Sequence, residues 1–126
     1  MATRSRIAVK LENGGYKSVY VHWDGSPNTR GPLLTECYPT LDAANALIAG
    51  GDMSSVGLTV DDSVYFARDR GESLNFDIQD SLTELMTRHG SDEEYIYIYE
   101  DETGWTVFDT ETRQFSSLNT LVGASV

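Results

Sequence analysis

Two short runs in this sequence hold side chains suited to chemistry. His22-Trp23-Asp24-Gly25 sets an imidazole two residues from a carboxylate, with Tyr20 just upstream. In an alternating strand Tyr20 and His22 share one face, while Val21 and Trp23 share the other. Tyr20 and His22 then make a stacking and hydrogen-bonding wall for a planar ligand. The structural alternative has Trp23 filling the core and Asp24-Gly25 forming a turn. Arg68-Asp69-Arg70-Gly71-Glu72 sets two guanidinium forks around a carboxylate, a donor geometry that suits phosphate. Its alternative is a self-paired surface cluster, with Arg68 or Arg70 spent on Asp69 or Glu72. Tyr95, Tyr97 and Tyr99 form a third group, opposite Ile96 and Ile98 on one strand. Bases stack on such rings, but the surrounding acids disfavour phosphate there, and the pattern also suits one row in the core and the other at an interface.

Other chemistry has no motif behind it. One cysteine, Cys37, and two histidines, His22 and His89, offer no zinc ligand pair. His89 falls near a helix C-terminus, where a cation is favoured without further function. Gly14-Gly15 joins two strands and is no phosphate loop. Asp61-Asp62 lacks the calcium-loop spacing, and no nucleophile elbow occurs. The expectation is a non-enzymatic protein without metal or cofactor.

Net charge is −11 over 126 residues. Acidity on that scale disfavours direct nucleic acid binding, which draws on Lys and Arg at phosphates. Residues 1–30 nevertheless carry Arg4, Arg6, Lys10, Lys17 and Arg30 against Glu12 and Asp24, a net of +3, so the remainder carries −14. From Asp92 to Glu111 there are eight acids and no Lys or Arg. No apolar run is long enough to span a bilayer, and the N-terminal arginines precede no signal-peptide apolar stretch. These features suggest a cytoplasmic chain without membrane contact, folded as one domain over residues 1–126.

The elements that must position these groups read as follows. Residues 5–11 alternate Ile7, Val9 and Leu11 with polar or small neighbours, Asn13-Gly14-Gly15 turns, and Tyr16 to Trp23 returns, which predicts a hairpin. Residues 24–32 read as a loop with two prolines, then a short helical turn from Leu33. Thr40 caps a helix bearing Leu41, Ala44, Leu47 and Ile48, ended by Gly50-Gly51. Asp52 to Gly57 reads as a loop and Val64 to Ala67 as a short strand. Asp77 to His89 has helical spacing through Ile78, Leu82, Leu85 and Met86. Tyr95 to Tyr99 and Trp105 to Phe108 predict a second hairpin, and residues 115–126 a flexible tail or oligomer contact. The fold class is α+β: a mainly antiparallel sheet built from two hairpins, with two helices on one face.

Ser5-Arg6-Ile7, His22-Trp23-Asp24-Gly25, Gly51-Asp52-Met53-Ser54-Ser55 and Arg68-Asp69-Arg70-Gly71-Glu72 occur in that order. This series resembles that of a family of small phage-encoded accessory proteins, over most of residues 5–72. The chain departs from the family at Ser26, where an aromatic ordinarily precedes the proline. The resemblance implies a role in the cytoplasm of an infected bacterium, against host defence. One mode is a sponge: a homo-oligomer that sequesters a nucleotide-derived immune signal intact. Its ligand-binding residues would be Arg6, Tyr20, His22, Trp23, Asp24, Arg68, Asp69, Arg70 and Glu72. The alternative is an acidic inhibitor of a host defence protein, a nucleic-acid mimic working through Asp92 to Glu111.

Overall fold

The computed structural model describes residues 3–89 and 93–118. In chain order the elements are β1 (Ser5–Lys10), β2 (Tyr16–Val21), α1 (Pro27–Cys37), α2 (Leu41–Ile48), β3 (Met53–Ser55), β4 (Val64–Tyr65), α3 (Phe66–Arg70), β5 (Asp77–Gln79), α4 (Leu82–His89), β6 (Tyr95–Glu100), β7 (Gly104–Asp109) and β8 (Gln114–Ser117). The strands form one eight-stranded sheet ordered β4-β3-β2-β1-β6-β7-β8. β5 lies off that path, against β2: Tyr16 to Ser18 pair with β5, whereas Val21 pairs with Met53 of β3.

The α+β class holds, but its details need correcting. The sheet is mixed, because β1 runs parallel to β6 and β2 runs parallel to β3. Both expected hairpins form, with Ile7 opposite Val19 and Ile98 opposite Thr106. β7–β8 adds a further antiparallel pair, so residues 115–117 belong to the sheet; residues 119–126 lie outside the described set. The described residues form four helices, of which α1 and α2 cover one face and α4 the other. Leu34 of α1 and Ala44, Leu47 and Ile48 of α2 pack with Ile7, Val9, Val19, Val21, Tyr97 and Tyr99. Leu85 of α4 packs on the opposite face with Ala8, Ile96, Ile98 and Phe108. Strand alternation requires this division: Ile7 and Val9 point one way and Ala8 the other. The tyrosine and isoleucine rows of β6 are therefore both core, and neither is an interface.

Three local readings also change. Residues 27–37 are helical although Pro32 lies inside. Pro27 starts the helix, where its missing N–H costs nothing. Residues 77–79 are a strand, and the following helix begins only at Leu82. The start is set by Ser81 and Glu84: the Glu84 N–H donates to Ser81 Oγ at 3.1 Å, and the Asp80 N–H donates to Glu84 Oε2 at 2.8 Å. Arg68 and Arg70 stand on the short helix α3 rather than a turn; Gly71 ends it at φ +70°.

Buried aromatic side chains tie loops to this core with their polar tips. Tyr38 donates to Gly57 C=O at 2.7 Å, Tyr65 to Leu47 C=O at 2.6 Å, Tyr97 to Gly25 C=O at 2.5 Å and Trp105 Nε1 to Tyr38 C=O at 2.7 Å.

Candidate functional site

The sheet places the singled-out residues in two groups, and only part of the predicted set comes together. Arg6 and Tyr20 are direct neighbours across β1–β2 on the α4 face. Arg6 is buried and already occupied. Its Nη1 donates to Ser18 Oγ at 3.0 Å, its Nε to Glu93 at 3.4 Å, and Asp77 lies 3.9 Å away. Ser18 Oγ in turn donates to Gln79 Oε1 at 3.1 Å. This network neutralises Arg6 inside the fold, so it offers no guanidinium to a ligand.

Arg68 is likewise committed. It makes a fork to Asp69 at 2.9 Å on both oxygens and donates to the carbonyls of Val60, Asp61 and Ser63. Asp69 also accepts from the Tyr65 N–H at 2.8 Å. The bond to Arg68 holds the Asp69 carboxyl below its ordinary range and the guanidinium above its own. The self-paired alternative is therefore the observed one, and Arg68 clasps the 60–63 loop. Glu72 is exposed, and its N–H donates back to Phe66 C=O at the end of α3.

What does converge is Tyr20, His22 and Trp23, with Arg70 reaching the adjoining strand β3 at Ser54. The Tyr20 hydroxyl and His22 Nδ1 share a 2.7 Å hydrogen bond, so His22 does not turn to Asp24. Trp23 stands edge-on to His22 with ring centroids 4.6 Å apart, and it is 46% exposed. That sets aside the structural alternative in which Trp23 fills the core. The strand has ended before it: Asp24 takes a left-handed φ of +59° and turns the chain, which an aspartate tolerates. The backbone of this edge is fixed by β3, since His22 N–H donates to Met53 C=O at 3.1 Å and Trp23 N–H to Ser54 C=O at 2.9 Å. The register of β3 shifts between Met53 and Ser55, and Ser54 is buried at that irregularity. Arg70 reaches that serine, donating to Ser54 Oγ at 3.3 Å while lying 5.1 Å over the Phe66 ring. Among the described residues it makes no ion pair.

Three residues of this corner were not assigned to a site from the sequence. Arg4 is exposed, and its charge acts on the Tyr20 phenol, whose pKa burial raises above its ordinary value while Arg4 lowers it. Asp52 accepts from the Tyr20 N–H at 2.9 Å and from Asn75 Nδ2 at 2.7 Å, holding the strand edge. Arg30 lies beneath the loop, 1% exposed, donating to Ser5 Oγ at 3.0 Å and to Trp23 C=O at 2.8 Å. Burial pulls its pKa down to about 10, and the charges of Tyr97 and Asp24 offset this only in part. Arg4 was legible as one of the N-terminal cations; nothing local marks Arg30 as the support of Trp23.

Two clefts lie elsewhere. One of about 560 Å³ opens between the β1–β2 and β6–β7 turns, lined by Lys10, Glu12, Asn13, Leu41, Asp101 and Glu102. The other, about 220 Å³, lies by Leu82, Ile98, Thr106 and Phe115. The acidic stretch is divided: Glu93 is buried against Arg6, Glu100 bonds Lys10 and Tyr16, and Asp109 caps its own turn. Exposed Asp101 and Glu102 are separated from exposed Glu94 and Glu111 by the length of β6, about 17 Å. Asp92 and the side chain of His89 lie outside the described residues. Among those described, no group of His, Cys, Asp and Glu is arranged to hold a metal, and no helix is long and apolar enough to cross a membrane. Comparison with protein-family models, curated proteins and solved structures finds no match to this chain.

Proposed function

We propose that the protein binds a planar anionic ligand of the nucleotide class, without catalysis, on the corner formed by Arg4, Tyr20, His22, Trp23 and Arg70. The observation that carries the reading is Trp23: a large aromatic left half exposed, held edge-on by His22. The Arg70 guanidinium belongs to the same corner through Ser54. A base stacks on the indole face and phosphate meets Arg70 and Arg4. Arg6, Arg68 and Asp69 act as scaffold in this reading, and Asp24 shapes the turn. The resemblance to small phage proteins supports a setting in an infected cell, where such binding would sequester an immune signal as a sponge does.

Isothermal titration against cyclic dinucleotides and cyclic ADP-ribose isomers tests this. Binding that quenches indole fluorescence, falls at least tenfold in Trp23→Ala and Arg70→Ala, and releases the ligand intact on denaturation is the expected result. No heat with any of these ligands, or equal affinity in both variants, overturns it. A chemically altered ligand would mean a hydrolase. The rival reading, an acidic inhibitor of a defence protein, would draw on Glu12, Asp101 and Glu102 around the larger cleft. Retained inhibition after reversing those three charges excludes it.

A further inference from the structure

The approach to β5 carries three large apolar side chains in alternation: Leu74 is 57% exposed, Phe76 39% and Ile78 47%. The intervening residues are polar. Asn75 bonds Asp52, Asp77 lies near Arg6, and Gln79 is buried with Ser18. Backbone directions follow from the contacts already made. The Asn75 C=O accepts from the Asp52 N–H at 2.9 Å, and Gln79 C=O faces the β2 side at Gly15. The odd-numbered residues therefore direct their backbone groups inward, and Leu74, Phe76 and Ile78 direct theirs to the outer edge. Among the described residues β5 pairs with β2 alone, and no described strand lies beyond that edge. Natural edge strands are usually blunted by lysine, proline or a bulge, and residues 74–78 contain none of these. At the far end of the sheet, β8 exposes only Phe115 among its large apolar residues, and that ring already stacks on Phe108 at 4.8 Å.

We propose that this edge is a self-complementary interface, at which residues 74–78 of a second copy of the chain pair antiparallel with the same residues about a two-fold axis at Phe76. In that register Phe76 faces Phe76 of the second copy, and Leu74 faces Ile78. All of these are positions whose N–H and C=O point outward, so each pair exchanges two backbone hydrogen bonds. One face of the junction becomes a continuous apolar row. On the other face the Asn75 amide stands opposite the Asp77 carboxylate of the second copy, a donor against an acceptor. The alternation of apolar and polar positions is symmetric about Phe76, so each contact across the axis is repeated by its mate, as in an isologous interface. Lys17 lies 4.4 Å over the Phe76 ring, so the axis also brings two ammonium groups near each other on that face. Net charges of −11 on both copies oppose association, so the dimer tightens as salt rises, the reverse of an ion-paired interface. The proposal is independent of the nucleotide reading.

Sedimentation velocity on the full chain, from low to several hundred micromolar at two salt concentrations, is the test. A dimer strengthened by salt is expected. Phe76→Lys and Ile78→Lys should each raise the dissociation constant at least tenfold with an unchanged melting profile, since both side chains are exposed in the single chain. Register is read by oxidation in a Cys37→Ser background. A mixture of Leu74→Cys and Ile78→Cys should cross-link faster than either alone, because only the mixture sets one thiol opposite the other. A monomer throughout, a dimer that survives both lysine variants, or equal cross-linking in all samples overturns the proposal.

Discussion

Replacing Tyr97 with phenylalanine removes one oxygen from beneath the Trp23 corner. The Tyr97 side chain is fully buried, and its hydroxyl donates to Gly25 C=O at 2.5 Å. The ring remains, so no cavity opens; what is lost is the partner of a buried carbonyl, which costs about 1–3 kcal/mol. The hydroxyl also sets a pH signature. Burial raises the Tyr97 pKa well above its ordinary value of 10.0, and nearby Arg30 offsets this only in part. The folded chain thus keeps a proton that the unfolded chain gives up. The associated stability is fully present below pH 10 and is lost as the pH climbs from there toward the folded value. Each unit removes about 1.4 kcal/mol. Phenylalanine has no proton to lose. A deficit of about 2 kcal/mol at pH 8 should therefore shrink by roughly 1.4 kcal/mol at about pH 11. Tyr16 and Tyr65, both pushed up to about 12, affect wild type and variant alike and cancel in the difference. Urea unfolding of both proteins, with reductant to protect Cys37, measures the gap. A deficit below about 0.5 kcal/mol at pH 8, or a gap that stays constant into alkali, refutes the reasoning.

Gly50→Ala should cost about 1–3 kcal/mol in the same assay, because a Cβ there would lie 2.5 Å from the Tyr65 ring. Thr40→Ala removes the acceptor that caps Ala43 N–H at 3.1 Å and should cost about 1 kcal/mol, read as a lower urea midpoint at unchanged slope. Arg68→Lys keeps the charge but cannot span Asp69 and three carbonyls together, so amide exchange across residues 57–63 should quicken while the global melting temperature stays put.

Local pattern was readable in the sequence where local physics decided the outcome. The two hairpins follow from alternation and turn residues, and α2 follows from Thr40 and its apolar face. Residues 77–79 were misread because Ile78, Leu82 and Leu85 fall at helical spacing by coincidence. The Ser81-x-x-Glu84 cap, which starts the helix later, was the signal that would have corrected it. α1 was hidden by Pro32 and by the absence of a clear apolar stripe; its stabilising contacts are tertiary, through buried Leu34 and Arg30. The parallel β1–β6 pair was beyond local reading, since nothing near Ile7 encodes a partner at Tyr97. The candidate site divided along the same line. The aromatic corner was visible in adjacent residues, while the internal neutralisation of Arg6 and Arg68 depends on groups from distant strands and loops.

That central pair has a kinetic consequence. Ile7 lies beside Tyr97, so the middle of the sheet joins segments ninety positions apart. Bringing such ends together costs about 4 kcal/mol in loop entropy before any contact repays it. The first hairpin closes within microseconds, yet the β1 edge has no partner until β6 arrives. Refolding is then limited by one long-range search, with a transition state that already contains the β1–β6 contact. Weakening Ile96 or Ile98 should slow folding in proportion to the stability lost, whereas loosening the β8 edge should chiefly hasten unfolding.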